Sequence, residues 1–247
     1  MPFFDIANSN DGFIHARRAA YHGAMRAAAL LDWLASLPPA RRDAAIEAHL
    51  TLDDALDDAR ASEPPPGEHM IGYHAAGVAP IVRALLEVPV TAGDVVVDLG
   101  SGLGKVVLLA RMLTGATARG VEIRTALVDG ARAAAARLGV DARFTCADAR
   151  EADLDDGTVF FLYAPFTGPV LASVLSRLEA VARVRPIVVC ALGLDLERLA
   201  SWLVPRTIDA FWLTIYDSAG RTRANGTPVS AAAEAIAFER TWPGALR

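Results

Sequence analysis

Three carboxylates, each standing at or just past the end of an apolar run, carry most of the chemistry legible in this 247-residue chain. They are Asp98 after Val95-Val96-Val97, Glu122 after Ala118–Val121, and Asp148 beyond the segment Asp141–Cys146. Asp98-Leu99 leads into glycines at alternate positions, Gly100, Gly102 and Gly104, with Ser101 between the first two and a helical run from Lys105 to Leu113. Alternate glycines let a chain turn through backbone angles closed to other residues, and they bring bare amides toward a ligand at a helix N-terminus. A strand, a glycine turn and a helix in that order cradle a nucleotide or nucleoside. The details weigh against two of the three usual classes. A phosphate-binding P-loop requires Gly-x-x-x-x-Gly-Lys-Ser/Thr, and here Leu99 takes the first glycine's place and Val106 the hydroxyl's. A dinucleotide turn wants its third glycine three positions after the second, whereas Gly104 comes after two. Asp98 separates the classes further, because a carboxylate just before the turn repels phosphate and suits a ligand that has an ammonium group and no phosphates.

The other two acids extend the same reading. Glu122 falls 122 − 100 = 22 positions after Gly100, close to the ~20-residue interval at which such folds set a carboxylate on ribose hydroxyls. Asp148, closing the third element, stands where a carboxylate can accept from adenine's exocyclic amine. A nucleoside with an amino-acid tail and no phosphate describes S-adenosylmethionine.

The elements that must position these acids follow from the alternation of patterns. From Asp94 onward the order is strand, helix, strand, helix, strand, then strand Thr158–Tyr163, helix Pro169–Arg183, strand Pro186–Leu192 and helix Leu194–Leu203, which predicts a parallel sheet. Two tail strands, Thr207–Tyr216 and Ala233–Thr241, flank the polar stretch Asp217–Thr227 and are expected to pair antiparallel at the sheet edge. The fold class is therefore α/β: a doubly wound, mostly parallel seven-stranded sheet with an antiparallel C-terminal hairpin and an N-terminal helical cap. Helical spacing over 13–37 and 40–61 supplies the cap. The prolines of Glu63-Pro64-Pro65-Pro66-Gly67 forbid regular helix and set a stiff connector, dividing the chain into 1–66 and 67–247.

Asp98-Leu99-Gly100-Ser101-Gly102-Leu103-Gly104, Val121-Glu122 and Ala147-Asp148-Ala149 resemble the first, second and third motifs of the class I, seven-strand S-adenosylmethionine-dependent methyltransferases, over roughly residues 70–247. Within that class the run from Asp98 to Leu109, and the approach segment from Gly72-Tyr73 to Arg83, are similar to bacterial relatives of the non-SET histone-lysine methyltransferases. The resemblance implies that Tyr73, Asp98, Gly100, Ser101, Gly102, Gly104, Glu122 and Asp148 bind S-adenosylmethionine. It also places the chemistry after strand four, where the sequence reads Phe161-Leu162-Tyr163-Ala164-Pro165-Phe166. This is similar in outline to the Asn/Asp-Pro-Pro-Tyr/Phe motif of amino-group methyltransferases, with Tyr163 in the polar position and Phe166 as the aromatic, so these two are the candidate catalytic residues. Tyr163 departs from the family's Asn/Asp. The acceptor is expected to be a small molecule or a protein side chain. A non-catalytic relative that keeps the cofactor for an interaction role stays open on the Tyr163 departure, and a nicotinamide-dependent oxidoreductase is disfavoured by Asp98 and the glycine spacing.

Composition sets further bounds. A net charge of −5 gives no electrostatic support for nucleic acid as the default partner. Cys146 and Cys190 both fall in expected buried strands and read as inert core thiols, without a disulfide framework or a zinc site. The N-terminus opens without a basic-then-apolar leader, and the uncharged stretch from Gly157 to Ser176 is broken by Pro165, Gly168 and Pro169, so a cytoplasmic protein with no membrane span is expected. Asp53-Asp54 and Asp57-Asp58 lack the glycine turn and closing glutamate of a calcium loop and read as a solvated helix face. Among the histidines, His69 and His74 flank the approach segment and are the ones placed to reach the reacting centre.

Overall fold

The computed structural model describes residues 26–52, 67–206, 212–218 and 230–237. Among the described residues two helices come first, α1 over 26–36 and α2 over Pro39–Leu50. The elements that follow are α3 (Val78–Glu87), β1 (Val95–Leu99), α4 (Lys105–Thr114), β2 (Thr117–Glu122), α5 (Thr125–Leu138) and β3 (Arg143–Cys146). Next are β4 (Val159–Tyr163), α6 (Gly168–Val184), β5 (Val188–Leu192), β6 (Leu203–Pro205), β7 (Leu213–Ser218) and α7 (Ala231–Ala237). The strands form one seven-stranded sheet in the order β3-β2-β1-β4-β5-β7-β6. β1 to β5 run parallel, while β7 is antiparallel to both β5 and β6. The chain thus begins at the centre of the sheet and reverses direction between β3 and β4, which opens a crevice at the carboxyl ends of β1 and β4.

The period of two in the strands sorts side chains onto two apolar layers. Val96, Phe161, Val188, Cys190 and Ile215 face α3, α4 and α5, which contribute Ile81, Leu108 and Leu127. On the other face Val97, Leu99, Phe160, Leu162 and Val189 meet Val170, Val174 and Leu178 of α6. Burial on both faces explains the near-continuous hydrophobic runs in β1, β4 and β5. Leu34 of α1 and Ile46 and Leu50 of α2 join the first layer. Register then brings the acids to one edge: Asp98 lies opposite Gly120 of β2 and Phe161 of β4, and Glu122 opposite Cys146 of β3.

The parallel core matches the expectation from sequence, and the C-terminal half corrects it in detail. The antiparallel pair is Leu203–Pro205 with Leu213–Ser218, not Thr207–Tyr216 with Ala233–Thr241. The described part of the segment expected as the last strand, residues 233–237, is helical, because Ala231–Ala237 is alanine-rich and places Ala233, Ile236 and Ala237 on one buried face at helical spacing. The helix expected over Leu194–Leu203 is replaced by successive turns that still bury Leu196, Ala200 and Leu203, with the Leu196 amide donating to the Tyr216 hydroxyl at 3.1 Å. The second helix stops at Leu50 because Thr51 turns left-handed (φ 56°). Cys146, expected to be buried, is exposed at the end of edge strand β3, whereas Cys190 is buried. The start of the first expected helix, residues 53–61, the proline connector, the acidic group Asp53 to Asp58 and most of the 217–227 stretch lie outside the described residues. Among the described residues no helix is long and apolar enough to cross a membrane.

Because Ile46 is fully buried in the layer shared with α3 and α4, Ile46→Ala should destabilise the main unfolding transition by about 2–4 kcal/mol. Urea denaturation followed by circular dichroism would check this. A loss confined to a separate minor transition would contradict the shared core.

Candidate active site

A crevice of about 750 Å³ opens at the carboxyl edge of β1, β2 and β4, within the size range of small-molecule sites. Of the residues singled out from sequence, Tyr73, Asp98, Gly100, Ser101, Glu122, Asp148, Tyr163 and Phe166 line it; Gly102 and Gly104 do not. The loop after β1 also differs from expectation in what its amides do. The Gly100 and Ser101 amides both donate to the Val121 carbonyl (2.8 and 3.0 Å), Gly104 donates to the Ser101 carbonyl (2.8 Å), and Gly102 donates to Glu122 Oε2 (3.0 Å). The amides are therefore not bare: they fasten the loop to β2 and fix one acid. Gly102 is required for shape, since its φ of +52° lies in the left-handed region and a Cβ there would run into the Tyr73 ring. Tyr73 thus lies against the loop, with the Arg124 guanidinium 5.9 Å from its ring centroid.

The two acids of the crevice floor are held differently. Glu122 accepts from the Gly102 amide through Oε2, and from the Arg124 amide (3.0 Å) and Nε (3.2 Å) through Oε1. Burial raises its pKa and the backbone donors oppose the rise. Asp98 is 4% exposed and accepts no hydrogen bond from the described residues. Burial pushes its carboxyl up to about 8, and the Glu122 charge beside it adds to the effect. Asp148 is clamped by Arg150, whose Nη2 stands 2.6 Å from Oδ2 and whose Nε reaches both oxygens, and this pairing lowers its pKa. The Arg150 amide also donates to Oδ1 (2.8 Å), so each oxygen of this carboxylate already meets two contacts from Arg150.

The opposite wall is built from segments distant in sequence. Residues 69–71 pair antiparallel with the stretch after β4: Ile71 N donates to the Pro165 carbonyl (3.1 Å), Thr167 N to the His69 carbonyl (2.8 Å), and Met70 bridges Phe166. Phe166 is buried beneath this strap, partly in the second apolar layer. Tyr163 is half-buried, and desolvation followed by the charge of Asp43 raises its pKa, so its hydroxyl stays protonated and can donate. His74 lines the crevice and His69 does not.

Four residues of the site have no counterpart in the sequence reading: Asp43, Glu47, Lys105 and Arg124. Lys105, the first residue of α4, lines the crevice yet is only 4% exposed, and its ammonium pairs with Glu47 and stands 3.8 Å from Asp43 on α2. Asp43 Oδ1 also accepts from the Val78 amide (2.7 Å) at the start of α3. No local spacing announces contacts that span 58 positions. Arg124 had a weak signal only, as a basic residue two positions after the second acid.

The methyltransferase domain family matches residues 96–185. An RNA methyltransferase from Salinibacter ruber, crystallised with S-adenosyl-L-homocysteine, is 32% identical over 63% of this chain and 98% of its own, with a TM-score of 0.45. A SAM-dependent methyltransferase from Thiobacillus denitrificans, also in complex with S-adenosyl-L-homocysteine, is 18% identical over 55% of this chain and 54% of its own, with a TM-score of 0.41. No curated protein matches the chain. With that identity across nearly the whole of the Salinibacter chain, this protein belongs to the S-adenosylmethionine-dependent methyltransferases. It is an enzyme of that class and its cofactor is S-adenosylmethionine. The crevice fits the cofactor, since a desolvated acid that accepts no hydrogen bond from the described residues, Asp98, calls for a cation, and S-adenosylmethionine carries an ammonium in its tail.

The Asp98 carboxyl sets a pH dependence. The folded protein holds this proton more tightly than the unfolded chain, whose group titrates near 3.8. Its contribution to stability is therefore fully present below about pH 4 and is lost as pH rises through about 8. Asp98→Asn should flatten that decline in thermal unfolding of the unliganded protein between about pH 5 and 8. An ammonium ligand should expel the proton, so wild type should release protons on binding near pH 7, read as a buffer-dependent calorimetric enthalpy, and Asp98→Asn should not. Proton release unchanged in the variant would refute this account.

Proposed function

We propose that the protein transfers the methyl group of S-adenosylmethionine to a small molecule or a protein side chain, in the cytoplasm, with residues 1–66 as a helical cap over 67–247. The buried Asp98 carboxyl beside Glu122, which accepts no hydrogen bond from the described residues, carries the cofactor half of this reading. Asp98 takes the ammonium of the amino-acid tail, Glu122 the ribose hydroxyls and Asp148 the exocyclic amine of adenine. Tyr73 packs along the bound nucleoside, and Gly100, Ser101, Gly102 and Gly104 shape the turn beneath it. S-adenosylmethionine supplies a methyl group on an electrophilic sulfonium. The chain's own task is then to align an acceptor with that group in line and to exclude water.

Tyr163 and Phe166 perform the alignment. Phe166, pinned by the strap from 69–71, offers an apolar wall, and the protonated Tyr163 hydroxyl donates a hydrogen bond to the acceptor. A tyrosine whose pKa lies above its usual value does not serve as a base near neutral pH, which favours an acceptor whose nucleophile needs little help with deprotonation. The run from Asp98 to Leu109 supports the finer likeness to bacterial relatives of the non-SET histone-lysine methyltransferases, and Tyr163 in place of asparagine argues against a lysine target. The Salinibacter relative is described as an RNA methyltransferase; the net charge of −5 weighs against a polyanion acceptor here.

Two measurements test the reading. By titration calorimetry Asp98→Ala and Glu122→Ala should each weaken S-adenosylmethionine about a hundredfold, as expected for charge-assisted contacts in a desolvated site; unchanged affinity in both would sink the cofactor assignment. Incubation with methyl-labelled S-adenosylmethionine and fractionated cell extract should label the protein or small-molecule fraction. Label confined to RNA would overturn the acceptor class, and binding without transfer to any fraction would favour a non-catalytic interaction role.

A further inference from the structure

The crevice has two unlike walls. Its carboxyl edge is charged, and among the described residues those charges are already engaged: Glu122 with Arg124, Asp148 with Arg150, Asp129 with Arg132 at 3.3 Å, and Lys105 with Glu47. Asp98 is assigned to the cofactor's ammonium. The opposite wall is apolar, formed by Met70, Ile71, Pro165, Phe166 and Val170 around one polar group, the Tyr163 hydroxyl. Ile71 lines the crevice and is 42% exposed, a large hydrophobe that the monomer does not cover. The wall also adjoins the glycine turn, because Pro165 lies so close to Gly100 that a Cβ there would overlap its ring.

We propose that the methyl acceptor is a small, uncharged, largely apolar molecule bearing a weakly acidic hydroxyl or thiol, held between Ile71 and Phe166 with its nucleophile at the Tyr163 hydroxyl. The assignment rests on the crevice holding S-adenosylmethionine and narrows the acceptor of that same site. An ammonium or phosphate acceptor would shed its hydration beside this wall with no opposite charge to meet it. An apolar acceptor is stabilised by the same burial. A peptide is disfavoured on separate grounds. The strap already uses the Ile71 and Thr167 amides and the His69 and Pro165 carbonyls in its own pairing, so these groups are closed to an incoming backbone. Phenols titrate near about 10 and thiols near about 8.5, so a fraction ionises without a dedicated base. The protonated Tyr163 hydroxyl donates to the anion that results. The acceptor's proton passes to water, its oxygen or sulfur bonds the methyl carbon, and the bond to the sulfonium sulfur breaks with its electron pair left on that sulfur.

The test separates the acceptor from the cofactor. Methyl-labelled S-adenosylmethionine would be incubated with a cell-extract ultrafiltrate freed of macromolecules, and in parallel with the retained macromolecules, using wild type, Ile71→Asp and Ile71→Leu. After acidification the label from the ultrafiltrate should move into ethyl acetate, where neither the charged cofactor nor a charged product follows. Ile71→Asp should lower that label about tenfold or more while binding S-adenosylhomocysteine within about threefold of wild type by calorimetry, and Ile71→Leu should keep most of it. A new labelled product that stays in the acidified water, label only in the macromolecules, or an Ile71→Asp variant with undiminished transfer overturns the assignment and leaves the cofactor reading standing. Binding of S-adenosylhomocysteine with no label in any fraction overturns the assignment and the transfer reading together. A wild type that does not bind S-adenosylhomocysteine overturns the cofactor reading itself.

Discussion

Two carboxyl groups side by side on the desolvated floor of a crevice repel each other, and neither has bulk water to relieve it. The molecule answers at Glu122 by surrounding it with donors from the glycine loop and from Arg124. Among the described residues none donates to Asp98, and burial raises its pKa, which favours the protonated carboxyl until a cation arrives. The loop geometry follows from that arrangement. Gly102 must adopt a left-handed conformation to aim its amide at Glu122, and the same glycine must lack a side chain so that Tyr73 can lie against it. The motif's glycines therefore act here through packing and through one carboxylate more than through open amides.

The same constraint explains why the walls come from so far apart in the chain. Parallel strands end at one edge, and each delivers a single residue to it before the chain turns away. Everything else must be brought in: α2 reaches Lys105 with Glu47 and Asp43, and the 69–71 strap pairs with the stretch after β4. The acceptor side is accordingly built from elements that have their own packing obligations. Phe166 belongs both to the crevice wall and to the second apolar layer, so changes in α6 packing reach the site through it.

Legibility varied with the range of the interactions. The parallel core could be read because strands buried on both faces show continuous apolar runs and because glycines punctuate the βα turns. The stretch Ala233–Thr241 reads as a strand in sequence since short apolar runs fit either period; in its described part, burial of Ala233, Ile236 and Ala237 on one face selects the helix. Likewise Leu194–Leu203 has helical spacing, but the approach of Leu203 to β7 and the bond from Leu196 to Tyr216 pull it into turns and a short edge strand. Cys146 looked like a core residue in an apolar strand, and its place on the edge strand β3 exposes it.

By itself the sequence determined the order of elements from β1 to β5, the acids at three strand ends and the glycine turn, because each is a local matter of residue type and spacing along a few positions. Only the tertiary structure decided what those residues do to one another: that the loop amides are turned inward, that Asp98 is buried beside Glu122, and that Lys105 belongs to the crevice wall under the hold of α2. Desolvation and charge pairing depend on distances through space between segments dozens of positions apart, and no pattern along the chain encodes them.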